Sequence, residues 1–243
     1  MPLSKPILRV TGLTKRYGRF TALDDVSFSI ARGEIVGLIG PNGAGKTTLF
    51  ACLAGVLARE AGEILGDERP LAAGNSILFY VPDGIAPWPA QTVRWGLDFA
   101  QGFFGAAARQ TRDEIVKSLG LSSLLDQRIG TLSKGQRKRA LLAIGLLTPH
   151  PVLVIDEPFE GLDLRQTRDM AAALRLHATK DRTLLLSIHQ IADAARVCDR
   201  FVLLSGGRVR GDGTVDELAA LAAARHPMLG AGASLEETFL ALT

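Results

Sequence analysis

The sequence predicts an α/β fold with a parallel-sheet core, a small antiparallel β part near the start and an inserted helical lobe. Three observations carry this expectation. Short apolar runs such as "EIVGLIG", "VLVID" and "TLLLSI" have the length and continuous hydrophobicity of buried strands. Helical stretches such as "KTTLFACLAGVL" and "LRQTRDMAAALRLHA" alternate with strands, as in a parallel sheet. From Gln91 to Leu147 the pattern turns helical, broken at Gly102, Gly105 and Gly120.

In chain order, "ILRV" and "VSFSI" supply the antiparallel part. "EIVGLIG" then runs into a Gly-rich stretch and a helix, and "GEIL" and "SILFYV" are further strands. The lobe occupies about 91–147, so about 1–90 and 148–243 form the core of a single domain. "VLVID", "TLLLSI", "RFVLLS" and "GRVRGDG" complete the strands, and the tail is helical.

Composition narrows the class. A chain of 243 residues can bury a sizeable core. Its 28 basic and 25 acidic residues leave a net charge of only +3, too small a surplus to point to nucleic acid. The hydrophobic fraction of 47% is high and belongs either to core or to a surface covered by a partner. Cys52 and Cys198 lie in apolar helical patterns, as buried free thiols of a reducing compartment would. "MPLSKPILRV" lacks the apolar stretch of a signal peptide, and no run approaches the roughly 18 apolar residues of a membrane span. Any membrane connection is expected to come through a partner.

The chemistry concentrates in two places. "GPNGAGKTT" fits the pattern G-x-x-x-x-G-K-[ST] through Gly40, Gly45, Lys46 and Thr47. Glycines let backbone N–H groups close around phosphates, Lys46 reaches the β- and γ-phosphates, and the Thr47 hydroxyl ligates Mg²⁺. "VLVIDEP" sets Asp156 and Glu157 at the end of a strand, the edge where open α/β sheets bind ligands. Asp156 is expected in the Mg²⁺ shell, with Glu157 as general base towards the attacking water. "LSKGQRKR" precedes the apolar helical run "ALLAIGLL", a composition suited to a helix start that receives an anion. Arg137, Lys138 and Arg139 read as a solvated basic face. His150, His177 and His226 read as structural.

Together these residues resemble the nucleotide-binding subunit of ATP-binding cassette (ABC) transporters over nearly the whole chain. Gly40, Pro41, Asn42, Gly43, Ala44, Gly45, Lys46, Thr47 and Thr48 look like its Walker A motif, and "VLVIDEP" like its Walker B motif. Ser133, Lys134, Gly135 and Gln136 look like its signature, with Lys134 where Gly is commoner. Asp163 in "EGLD" matches the D-loop, His189 in "SIHQ" the switch histidine, and Tyr17 in "KRYG" an aromatic that stacks on adenine. The resemblance implies a P-loop NTPase cassette with a RecA-like parallel-sheet core. It implies an ATPase that uses ATP and Mg²⁺ and drives a transmembrane subunit from the cytoplasmic face of the membrane. It also implies two cassettes packed head to tail, so that the signature of one closes over the γ-phosphate held by the other; an identical second chain is the simpler expectation.

Asp83 in "FYVPDG" departs from the family, which usually has Gln there as a Mg²⁺ ligand; Asp83 is expected to approach the metal, against the alternative that it merely starts a turn. The acidic residue and the tail "SLEETFLALT" both look like export-type members. Trp88, Trp95, Phe99, Phe103 and Phe104 fall where the family meets its membrane subunit. Phe99 and Phe103, spaced i, i+4, are expected in the core of the lobe, whereas Trp88 is either core or partner surface. The rival readings are a soluble ABC ATPase acting on nucleic acid or the ribosome, and a module that binds ATP without hydrolysis. The first usually carries coiled coils, zinc modules or a second cassette, none of which is visible; Glu157 and His189 disfavour the second.

Overall fold

Every residue of β3 (Ile35–Ile39), β7 (Val152–Ile155) and β8 (Thr183–Ile188) is buried, which is why these segments read as unbroken apolar runs. The computed structural model describes residues 5–71, 74, 76–105, 112–189, 191–226 and 234–242. The three strands lie within a six-stranded sheet. From one edge it runs β6 (Leu78–Val81), β7, β8, β3 and β9 (Arg200–Ser205), all parallel; β10 (Arg208–Gly213) closes the other edge antiparallel to β9. A second, antiparallel sheet holds β1 (Leu8–Tyr17), β2 (Phe20–Ile30), β4 (Ala61–Gly66) and β5 (Arg69–Pro70) in the order β2-β1-β4-β5. Both sheets match the expected architecture.

Alternate residues of the central strands feed two separate cores, as the two-residue period of a strand requires. Val36, Leu38, Val152 and Val154 pack with Leu8, Val10 and Phe28 of the antiparallel sheet and with Leu49 and Phe50 of α1 (Lys46–Leu53). Ile35, Ile39, Leu153 and Ile155 face the other way. There they join the lobe, built from α2 (Val93–Phe104), α3 (Arg112–Ser118) and α4 (Lys134–Leu146), and the helix α5 (Leu164–His177). The remaining helices are α6 (Ile191–Val197), α7 (Val215–Arg225) and α8 (Leu235–Leu242). The lobe's apolar residues and the sheet's inner face thus form one continuous cluster.

One expectation for the lobe fails. Phe99 and Phe103 are not core: they are 45% and 74% exposed. α2 carries two stripes at helical spacing. Val93, Leu97 and Ala100 pack inward with Ile115 and Ile129, while Trp95, Phe99 and Phe103 fall on the outer face. Trp88 joins that outer stripe, with its ring 5.4 Å from Trp95 and 5.1 Å from Phe99. Cys52 and Cys198 are buried free thiols, as expected. His177 is buried with Nε2 2.7 Å from Ser118 Oγ, and His150 lies against the rings of Phe79 and Phe104.

Candidate nucleotide site

The loop after β3 is pressed against its neighbours. A Cβ at Gly40 would lie 2.3 Å from the Leu204 carbonyl oxygen, and one at Gly45 2.7 Å from that of Ala22. Gly45 also has φ +106°, where a side chain would be strained. α1 therefore begins directly after a glycine, with no side-chain cap on its first turn, and its backbone N–H groups are available to an anion. Lys46 is buried, and its Nζ donates to the carbonyls of Gly40 (2.7 Å) and Pro41 (3.2 Å). Burial pulls its pKa below the ordinary lysine value; Glu157 and then Asp156 act in the opposite direction.

Asp156 is the hub beneath the loop. Thr47 Oγ1 donates to its Oδ2 at 3.1 Å, Tyr80 Oη donates to the same oxygen at 3.3 Å, and Ser187 Oγ donates to Oδ1. Burial, then the Asp156 charge, pushes the Tyr80 hydroxyl up, so it remains a neutral donor. Paired hydroxyl and carboxylate oxygens from Thr47 and Asp156 are the hard donors that a magnesium ion takes.

Glu157 follows with φ +49°, a left-handed conformation that costs a non-glycine residue on the order of 1–3 kcal/mol unless its surroundings enforce it. Both of its peptide groups are held. Its N–H donates to Ser187 Oγ at 2.8 Å, and its carbonyl accepts from Lys138 Nζ. This turn delivers the carboxylate to the end of β8, where it meets His189 Nε2. Burial raises the Glu157 carboxyl above the ordinary range, the hydrogen bond to Glu160 adds to this, and His189 opposes both. Glu160 is held down to about 2, first by the hydrogen bond with Glu157 and then by Lys134.

Glu157, His189 and the Asn42–Thr48 stretch line one open cleft of about 650 Å³, with Tyr17 and Phe20 at its rim. Tyr17 is half exposed, with Lys15 Nζ 5.5 Å from its ring centroid. Tyr17, Asn42–Thr48, Glu157 and His189, expected from sequence to share a site, are brought together.

The signature residues lie elsewhere and line no part of that cleft. Ser133 caps α4: its hydroxyl accepts from Gln136 N–H (3.3 Å), and Gln136 Oε1 accepts from Ser133 N–H (2.9 Å). Gly135 is closely packed: a Cβ there would lie 2.5 Å from Leu162 Cδ2 and 3.0 Å from Gln166 Oε1, side-chain ends that would have to move. Lys134 Nζ pairs with Glu160 at 2.8 Å. Asp163 caps α5 by accepting from Gln166 N–H at 2.8 Å.

Asp83 is also outside the cleft. Its Oδ1 lies 3.0 Å from Lys138 Nζ, a charge contact without hydrogen-bond alignment, and its Oδ2 lies 3.8 Å from Lys134 Nζ. It borders a second, narrow pocket under α4. One carboxylate oxygen each from Asp83, Glu157 and Glu160 converge within 4.8 Å, but Lys134 and Lys138 already pair with Glu160 and Asp83. Nor are Arg137, Lys138 and Arg139 a solvated face. Lys138 is buried, and Arg137 and Arg139 turn back to the carbonyls of Leu132 and Leu119.

Four residues with clear roles here escape sequence reasoning: Ser187, Tyr80, Lys138 and Glu160. Ser187 alone left a signal, as a polar residue in an apolar strand two places before His189. Phe20, three residues after Tyr17, offered a weaker one.

Comparison with known proteins gives the family of the chain. The family described as ABC transporter matches residues 23–160. Nod factor export ATP-binding protein I of Ralstonia nicotianae is 35% identical over 225 residues, covering 88% of this chain and 69% of that protein. Thiamine import ATP-binding protein ThiQ of Salmonella typhimurium is 35% identical over 212 residues, 84% of this chain and 90% of its own. A solved ATP-binding subunit of an ABC transporter superposes with a TM-score of 0.85 at 31% identity, over 97% of this chain and 99% of its own. The matched residues include the phosphate loop and the Asp156–Glu157 strand end, and the chain belongs to the ABC transporter family as an ATP-binding subunit, an ATPase coupled to transport.

Proposed function

We propose that the chain binds Mg·ATP in the cleft, pairs head to tail with a second, identical cassette, and powers export by a membrane subunit. The observation that carries this reading is the line of contacts from Thr47 through Asp156 and Ser187 to Glu157 and His189. It aims a base and its partner at the mouth of a phosphate loop. Glu157 takes a proton from water as the oxygen attacks the γ-phosphorus and the bond to ADP breaks. Its raised pKa suits that task. Lys46 and His189 balance the charge of the transferring group. Magnesium held by Thr47 and Asp156 supplies further charge neutralisation when bound. Tyr17 stacks on the adenine. Asp83 would join the metal only by letting go of Lys138.

The partner cassette supplies Ser133, Lys134, Gly135 and Gln136 over the γ-phosphate, and Asp163 lies at the same seam. Among the described residues no helix is long and apolar enough to cross a membrane. In this reading the membrane subunit meets the cassette at its surface. The exposed aromatic stripe from Trp88 to Phe103 fits it. That contact would hold the cassette on the cytoplasmic face of the membrane. Both an exporter and an importer protein are 35% identical to this chain, so the export reading rests on Asp83 and the C-terminal helix.

The test is Glu157→Gln. Hydrolysis is expected to fall on the order of 100-fold or more while ATP affinity stays, since the amide keeps the size but cannot accept the proton. ATP-loaded dimers should then accumulate on size exclusion. Turnover near wild type would remove Glu157 as the base, and a monomer at saturating ATP would remove the shared site.

A further inference from the structure

We infer that Lys138 is a positioning residue for hydrolysis, holding the strained Glu157 peptide in place from the same helix that carries the signature. Three contacts carry this. Lys138 Nζ donates to the Glu157 carbonyl, lies 3.0 Å from Asp83 Oδ1 and lies 3.8 Å from Glu160 Oε2. The lysine is buried, 9% exposed, so its charge is matched by these partners rather than by water. Glu157 needs such a clamp. Its φ of +49° is one that a side-chain-bearing residue keeps only when neighbours enforce it. Ser187 fixes the N–H side of the residue at 2.8 Å, and Lys138 fixes the carbonyl side.

The consequence is a link between two sites. Lys138 lies four residues beyond Lys134 on α4, one turn from Ser133–Gln136. Under the proposed function that first turn serves the neighbouring chain's nucleotide, whereas Glu157 serves its own. A shift of α4 against the sheet moves Nζ relative to the Glu157 carbonyl, and with it the aim of the carboxylate. The two half-sites are therefore joined within each subunit by one ammonium group. The inference rests on Glu157 being the base.

The experiment is a double-mutant cycle on full-length protein, reading kcat, KM and ATP affinity for Lys138→Met, Glu157→Gln and the pair. Lys138→Met is expected to lower kcat about tenfold with KM and affinity within about twofold, because the phosphate loop is untouched. In the Glu157→Gln background it should cost nothing further, since the group it aims is gone. Asp83→Asn combined with Lys138→Met, which removes the nearer carboxylate facing the lost ammonium, is measured alongside and should show the same kcat loss. Wild-type kcat in both Lys138 variants, losses that multiply in the cycle, or a fall in affinity as large as that in kcat would each overturn the assignment. Retained turnover in Glu157→Gln alone would instead overturn the base reading, so the two failures are distinguishable.

Discussion

The starts of α1 and α4 are both helix N-termini suited to an anion, but the chain completes them differently. α1 begins after Gly45 with no side-chain cap, and Lys46, Thr47, Glu157 and His189 of the same chain surround it. α4 begins with a full capping box from Ser133 and Gln136, and its lysine is engaged by Glu160. The first start is a pocket. The second is a capped surface, and the pocket beneath it is lined by none of the phosphate-loop residues. Such a surface gains a catalytic use only against a nucleotide presented from outside, which is the physical support for head-to-tail pairing.

The largest expected effect breaks this comparison directly. Lys46→Ala should disable the pocket and Ser133→Arg the surface, each cutting ATPase activity on the order of 100-fold when it is the only chain present. Mixed dimers contain one site carrying both lesions and one carrying neither. Mixing the two chains should therefore restore activity if the half-sites fire separately, read as turnover against mixing ratio. Full activity of Ser133→Arg alone would show that the α4 start has no part in hydrolysis.

A smaller effect separates the cassette's chemistry from its attachment. Trp88→Ala with Phe99→Ala removes two rings of the outer stripe, and buried tryptophans are frequent anchors of interfaces. Affinity for detergent-solubilised membrane subunit should fall about tenfold or more, measured by co-purification. Transport should suffer more than hydrolysis. Equal losses in both would mean that the stripe supports the fold of the lobe instead.

The two regions also differed in how much the sequence disclosed. The parallel strands and the phosphate loop were legible because their constraints are local: continuous burial selects apolar residues, and close backbone approach selects glycine at positions 40 and 45. The environment of α4 was not. Lys138 looks like one more basic surface residue until β6 and β7 bring Asp83 and the Glu157 carbonyl to it from 55 and 19 residues away. The aromatic stripe misled for a related reason. Helical spacing shows that Phe99 and Phe103 share a face, but only tertiary packing chooses which face is inside, and Val93, Leu97 and Ala100 took that place.

The contact between Glu157 and His189 sharpens the pocket side of the comparison through pH. With Glu157 as the proposed base, hydrolysis needs its carboxylate ionised, so activity should be lost as pH falls through its raised pKa. His189 is one of the groups that lower that pKa. His189→Gln should therefore move the acid limb of the kcat profile to higher pH, besides lowering the plateau. A limb that stays put, or moves to lower pH, would mean that the two side chains are not coupled when ATP is bound.

The smallest effect concerns Asp83, which stands between the two regions. Its carboxylate is engaged by Lys138 at 3.0 Å, on the α4 side, whereas Thr47, a proposed metal donor, lines the phosphate-loop cleft, and Asp156, its hydrogen-bond partner, reaches the α4-side pocket as well. A switch from ammonium to metal is chemically reasonable, since both are hard cations for a carboxylate. It would add a negative charge beside the triphosphate that is tolerable only with magnesium present. ATP affinity should then rise more steeply with Mg²⁺ in wild type than in Asp83→Asn, by a few-fold across a titration at several metal concentrations. Asp83→Gln, which restores the residue usual in related cassettes, should keep ATPase activity. If Asp83→Asn keeps the wild-type Mg²⁺ dependence but loses kcat, the carboxylate never leaves Lys138. Its place is then on the α4 side, as the anchor of the lysine that holds Glu157.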